Sequence, residues 1–196
     1  MATLNTYNIC FWGRTGNGKS SLINAITGST FPTDPTKPCT KDMYSVTILD
    51  DGNNAYTIYD TPGIGEFETN DPYFKFYEHA VSIADCIVLV TTFDRTDAPA
   101  MRLLMSLKEF IKDKTATKFV IALNHIDSRI VAQSKDYQPW DLDNNKPSLE
   151  CEKKIQIRIK DITDNFENLF LPFTVVPVCA LRKYGIKEIK SLILNK

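Results

Sequence analysis

The feature that most limits what this chain can fold into is the run Gly13-Arg14-Thr15-Gly16-Asn17-Gly18-Lys19-Ser20, set between an apolar segment (Ile9 to Trp12) and a helical pattern (Ser21, Leu22, Ile23, Ile26). Its glycines let the backbone turn N–H groups inward, the arrangement that surrounds phosphate oxygens. The helix opening near Lys19 adds the positive end of its dipole to the same place. The run therefore reads as a P-loop hanging from the C-terminal end of a central strand, with Lys19 reaching the outer phosphates of a nucleoside triphosphate. The Ser20 hydroxyl takes one position on Mg²⁺. Every residue from Gly13 to Ser20, with Ser21 beyond it, is a candidate nucleotide contact.

The remaining features narrow this reading. With 196 residues, 43% of them hydrophobic, the chain can bury one good core, so one domain spanning residues 1–196 is expected. The 23 basic and 24 acidic residues nearly cancel and are spread along the chain, so no basic stripe invites nucleic acid or anionic lipid. No apolar stretch approaches the roughly 20 residues that a membrane helix needs, and the N-terminal residues lack a basic segment followed by an apolar signal core. A cytoplasmic protein is expected. The five cysteines have no Cys-x-x-Cys spacing and suggest reduced thiols rather than disulfides or a zinc site.

Along the chain, residues 4–12 form the first strand, and the helix after the P-loop stops at Gly28, a natural C-cap. Residues 31–42, with three prolines and three threonines, read as a flexible loop. Tyr44, Val46 and Ile48 alternate with polar residues as a strand does. A turn at Asp50 to Asn53 and a second strand from Ala55 to Tyr59 complete a hairpin. Helices are expected from Tyr73 to Ala84, from Met101 to Ile111, from Leu149 to Phe170, and around Ile186 to Ile193. Buried strands are expected at Cys86 to Thr92, Lys118 to Leu123 and Phe173 to Val178. Residues 128–148 are polar and without helical period, a functional or partly disordered loop in which Trp140 is expected to act as an anchor.

Two further strand ends carry chemistry. Asp60-Thr61-Pro62-Gly63 places a carboxylate where it can hold Mg²⁺ opposite the P-loop hydroxyl, and the Gly63 N–H where it can bond a terminal phosphate. Asn124-His125-Ile126-Asp127 decides the base. A carboxylate at Asp127 can accept hydrogen bonds from N1–H and the 2-amino group of guanine, donors that adenine does not offer there. Asn124 would tie this loop to the P-loop, and Cys179-Ala180-Leu181 would offer the Ala180 N–H to the guanine carbonyl oxygen.

With these motifs in this order, the chain resembles a small GTP-binding domain of the translation-factor-related class. The segments GRTGNGKSSLINAITG, DTPGIGE and VVPVCALRKYGIKEI are most similar to Era-like GTPases of the bacterial YfjP and YeeP type. The form GxTGxGKS also resembles immunity-associated and chloroplast import-receptor GTPases. The resemblance implies an α/β P-loop NTPase fold, a six-stranded and mostly parallel sheet with helices on both faces, and GTP or GDP with Mg²⁺ at the C-terminal strand ends. It implies that residues 31–42 are a first switch, with Thr40 closing on Mg²⁺ and the terminal phosphate and Thr33 and Thr36 as rivals. Lys19, Thr40 and Gly63 then form the catalytic set, and Ser20, Thr40 and Asp60 the metal set.

Three departures matter. His125 replaces the usual lysine that covers one face of the base, Cys179 stands where serine is usual, and Ile64 occupies the position of a water-orienting glutamine. The asparagine of potassium-dependent relatives is missing too, since the fourth P-loop position is Gly16 and Asn17 comes one residue late. A slow GTP hydrolase acting as a switch is the leading expectation, with partners that face each other across the nucleotide: a homodimer or an unidentified protein effector. An arginine acting in trans could be Arg95, Arg102 or Arg14, and residues 63–72 would be a second mobile segment. The rival readings are a nucleotide-gated binding module with negligible hydrolysis and a P-loop kinase or ATPase.

Overall fold

The computed structural model describes residues 4–33, 44–50, 52–64, 74–93, 98–111, 113, 115–128, 138–167 and 171–194. Strand β1 (Asn5–Trp12) runs into the glycine-rich turn, and α1 (Lys19–Thr27) follows. The helix stops where expected: Gly28 adopts a left-handed φ of 77° and its N–H bonds Asn24 O at 2.8 Å. Strands β2 (Tyr44–Leu49) and β3 (Asn54–Asp60) pair antiparallel. Their turn is closed by Asp50, whose carboxylate accepts the N–H groups of Gly52 and Asn54 at 2.9 Å.

Helix α2 (Phe74–Ile83) leads to β4 (Cys86–Thr92), buried at every position. Helix α3 (Ala98–Ser106) is shorter than the apolar periodicity suggests, giving way to a 3₁₀ turn at Lys108–Phe110. Leu107 marks the break. Its N–H is shared between the carbonyls of Leu103 and Leu104, and the Ser106 hydroxyl competes for Leu103 O at 2.7 Å. After β5 (Lys118–Asn124), the polar segment expected to be a loop contains a small hairpin, β6 (Trp140–Asp141) with β7 (Lys146–Pro147). Asp141 accepts the N–H groups of Asp143 and Asn144, a local turn that strand periodicity cannot announce. Helix α4 (Leu149–Phe166), β8 (Phe173–Pro177) and α5 (Ile186–Leu194) complete the chain.

The main sheet has six strands in the order β2-β3-β1-β4-β5-β8, all parallel except β2. Alternation along β1 sets the two layers. Ile9 and Phe11 face Leu22, Ile23 and Ile189 of α1 and α5, whereas Cys10 and Trp12 face Tyr77, Leu103 and Ile162 of α2, α3 and α4. Parallel strands covered on both faces leave only their ends open, so the carboxyl ends of β1, β3, β4, β5 and β8 share one edge. Among the described residues no helix is long and apolar enough to cross a membrane.

Candidate functional site

At the β1 end the turn is fixed by backbone atoms of neighbouring strands. Ile64 donates its N–H to Gly13 O at 3.1 Å, Thr61 donates its hydroxyl to Phe11 O at 2.8 Å, and Tyr77 donates its hydroxyl to Pro62 O at 3.2 Å. The loop after β3 therefore lies directly on the P-loop. A Cβ at Gly63 would fall 2.1 Å from Thr15 Oγ1 and 2.7 Å from Thr15 N, so only glycine fits there. This close approach aims the Gly63 backbone at the same space as the turn from Gly13 to Gly18.

Lys19 is buried and donates to Gly13 O at 3.0 Å, curling its ammonium back over the loop. Burial pushes its pKa down to about 8, an effect that the charge of Asp60 partly offsets. Ser20 donates its hydroxyl to Asp60 Oδ2 at 2.5 Å. The two metal candidates of the described chain thus present hard oxygens side by side, a donor set that suits Mg²⁺. The cradle suits an anion: a helix N-terminus, a buried cation, and a loop with left-handed φ at Gly16 and Gly18. Asn17, a candidate contact, donates from its side chain to Val90 O at 2.8 Å and from its N–H to Arg14 O at 3.2 Å.

The β5 end holds the second set. Asn124 is fully buried and bridges three loops, donating to Asn17 O at 3.0 Å and accepting the Ala180 N–H at 3.2 Å. Ala180, expected to donate to a base, donates here to Asn124. Gly18 meets this loop so closely that a Cβ on it would lie 2.5 Å from Asn124 Nδ2. His125 is exposed with a left-handed φ of 56°, Ile126 is buried, and the Ile126 carbonyl accepts the Cys151 thiol of α4 at 3.1 Å. Cys179 exchanges both backbone hydrogen bonds with Tyr184, and burial, with the Asp127 carboxylate nearby, pushes its thiol up to about 12. Leu181 is 86% exposed, so its side chain is poorly placed to pack on anything within the chain.

Two contacts of Arg182, one of them to Asp127, escape motif reading. Arg182 donates from Nε to Asp127 Oδ2 at 2.8 Å, and its guanidinium lies 5.1 Å from the Trp140 ring centroid. Trp140, expected to pin its loop, does so: its indole N–H reaches Asn145 Oδ1 at 3.2 Å, and its ring meets Tyr184 edge-on at 5.4 Å. The sequence signal available was only an arginine next to the CAL tripeptide, and nothing in its spacing pairs it with a tryptophan of another loop.

Ile64 is buried and bridged to Arg14, so its side chain faces the core and orients no water. Of the arginine candidates, Arg102 is exposed on α3 and Arg14 is half-buried in the P-loop, while Arg95 lies outside the described residues. Thr33 is described and exposed; Thr36 and Thr40 also lie outside.

A family model described as "50S ribosome-binding GTPase" matches residues 8–125. The chain is 30% identical over 171 residues to the uncharacterized protein YfjP of Escherichia coli, covering 86% of this chain and 53% of that one. Its fold matches Era, solved in complex with MgGDPNP and nucleotides 1506–1542 of 16S ribosomal RNA, with a TM-score of 0.71, 17% identity, and coverage of 98% of this chain and 57% of that one. It also matches the FeoB G-domain of Methanococcus jannaschii, with a TM-score of 0.60, 17% identity, and coverage of 97% and 96%. The chain spans about half or less of the length of the curated relatives that it matches.

Proposed function

Because the chain belongs to the family of 50S ribosome-binding GTPases, we propose that it binds GTP and GDP along the shared strand edge, hydrolyses GTP slowly, and acts as a nucleotide-dependent switch. The observation that carries this reading is the arrangement of that edge. The P-loop with Lys19, Ser20 and Asp60 stands at one end, Asp127 stands at the other, and Asn124 bonds the two together. Residues 1–196 would act as one GTP-binding domain.

In this reading the backbone N–H groups from Gly13 to Ser20 and the Lys19 ammonium surround the phosphates, and the Gly63 N–H takes a terminal phosphate oxygen. Ser20 and Asp60 would hold Mg²⁺, with Thr40 as the third candidate. When bound, Mg²⁺ neutralises charge on the phosphate oxygens. Asp127 reads N1–H and the 2-amino group, the Ala180 N–H exchanges its bond to Asn124 for one to the base carbonyl, and His125 covers one face of the ring in place of a lysine stem. With Ile64 turned into the core, the chain itself supplies no side chain at that position to orient the attacking water. Acceleration then comes from outside, from a second copy across the nucleotide face or a protein effector. The Era structure contains ribosomal RNA. For this chain, whose formal net charge is −1 without a basic stripe, we favour a protein partner.

The same turned-in Ile64 favours the second reading, a nucleotide-gated assembly module with negligible turnover. Phosphate release per molecule, followed against protein concentration, separates them. A rate that climbs with concentration supports assisted hydrolysis, and a flat rate at background supports the module. Calorimetry tests the shared premise. GDP should bind far more tightly than ADP, and Asp127→Ala should lower GDP affinity about 10- to 100-fold while leaving ADP unchanged. Equal affinity for GDP and ADP would remove the guanine assignment.

A further inference from the structure

The base-reading carboxylate is held by residues that none of the strand-end motifs contains. Arg182 Nε bonds Asp127 Oδ2 at 2.8 Å, and the same guanidinium stacks over Trp140. Trp140 is in turn fixed by Asn145 and Tyr184, and the Asn145 side chain also donates to Arg182 O at 3.1 Å, closing a ring of contacts between the β6–β7 hairpin and the turn after β8. The arginine side chain is 31% exposed and the aspartate 16%, so the pair is partly shielded from solvent and its geometry is constrained from behind.

We propose that Arg182, braced on Trp140, is a positioning residue for Asp127 that orients its carboxylate for two-point reading of guanine; this rests on the guanine site proposed above. A carboxylate has about four lone-pair sites, of which the Arg182 Nε donor on Oδ2 uses one and the Cys179 thiol a second. The remaining sites suffice for N1–H and the 2-amino group, so arginine and base are compatible on one carboxylate. What the guanidinium removes is rotation about the bond that carries the carboxylate. A freely rotating group can still meet one donor but meets two parallel donors less often. The predicted signature is a loss of discrimination for the 2-amino group rather than a uniform loss of binding, and it depends on a hairpin that lies outside the strand-end motifs.

The test is calorimetry of the full chain with GDP and with inosine diphosphate, which keeps N1–H but lacks the 2-amino group. Arg182→Ala should lower the preference for GDP over inosine diphosphate by about tenfold. Trp140→Leu should lower it by roughly threefold, and Trp140→Phe, which keeps a ring face for the cation, should restore it. Should Arg182→Ala fail to fold, as judged by its melting transition, Arg182→Lys and Trp140→Leu carry the same readout, because an ammonium lacks the planar guanidinium that stacks. An unchanged preference in these variants overturns the proposal while leaving the guanine site intact. Tighter GDP binding in Arg182→Ala also overturns it, because it would mean that the arginine competes with the base. If the wild-type chain shows no preference for GDP and Asp127→Ala changes nothing, the guanine site itself falls and this proposal with it.

Discussion

The two ends of the strand edge are built from different materials. At the end proposed for the phosphates the groups that fix the loop bond to backbone carbonyls: Gly13 O takes Lys19 and Ile64, Phe11 O takes Thr61, Val90 O takes Asn17, and Pro62 O takes Tyr77. At the end proposed for the base the contacts around Asp127 run from side chain to side chain, through Arg182, Trp140 and Asn145, with Asn145 and Cys151 also reaching the carbonyls of Arg182 and Ile126. Backbone is common to all residues, so the first end depends on shape: glycines where a Cβ would collide, and one lysine and one hydroxyl where chemistry is needed. The second end depends on the identity of each side chain, including those well away from the base. Substitution should therefore give few but drastic effects at the phosphate end, and several graded, selectivity-changing effects at the base end.

The drastic case is Lys19→Ala. Losing a charged donor to phosphate costs about 2–5 kcal/mol of binding, so GTP affinity should fall by roughly 30-fold to several thousand-fold. Folding should suffer little, because the buried ammonium now bears the cost of leaving water, which is why burial pulls its pKa down. Calorimetry beside a thermal melt checks both halves. A large drop in the melting temperature would mean that Lys19 braces the loop structurally, which would blur the contrast between the ends.

Asn124 is where the two ends meet. Replacing it with alanine strips a partner from Asn17 O and from the Ala180 N–H, both at buried positions on the two sides of the edge. Leaving two buried backbone groups unsatisfied should cost about 2–4 kcal/mol of stability, read as a lower denaturant midpoint with an unchanged slope. Nucleotide binding should weaken for GDP and for inorganic tripolyphosphate alike. If tripolyphosphate binding were untouched, the ends would be energetically separate, and the bridge seen here would carry no coupling between them.

The same contrast explains what could be read from the chain. The phosphate end was legible because backbone geometry has compositional consequences. Gly13, Gly18 and Gly63 mark places where no side chain fits, and the order strand, glycine turn, helix places them on the edge. The six-stranded, mostly parallel sheet followed from the resemblance and stands. At the other end the NHID motif announced the tie of Asn124 to the P-loop and proposed Asp127 as the base reader, whereas the Arg182 to Trp140 support had no such signal. It joins the turn after β8 to a hairpin inside a polar segment that carries no periodicity. The hairpin is stabilised by the local turn at Asp141, which apolar periodicity does not register, and by Trp140 meeting Tyr184, a distant contact with no local signature. The early end of α3 was missed for a related reason, since apolar spacing registers burial and not the hydrogen bonding of Ser106 that interrupts the ladder.

The smallest expected effect is also the most specific to one end. Ser148 caps α4 by accepting the Cys151 N–H at 3.3 Å, and Cys151 then donates its thiol to the carbonyl of Ile126, the residue before Asp127. Ser148→Ala should cost about 1 kcal/mol of stability by leaving a first-turn N–H of α4 without its side-chain partner. Because the helix start supports the Ile126 carbonyl from below, fraying it should lower GDP affinity by roughly twofold to threefold, while tripolyphosphate binding stays unchanged. Amide hydrogen exchange gives the sharper measurement: faster exchange should appear in the first turn of α4 and around residues 124–127, and the P-loop amides should exchange at the wild-type rate. Equal acceleration at both ends would show that α4 supports the whole edge, and the division between a backbone-built end and a side-chain-built end would then describe contacts without describing energetics.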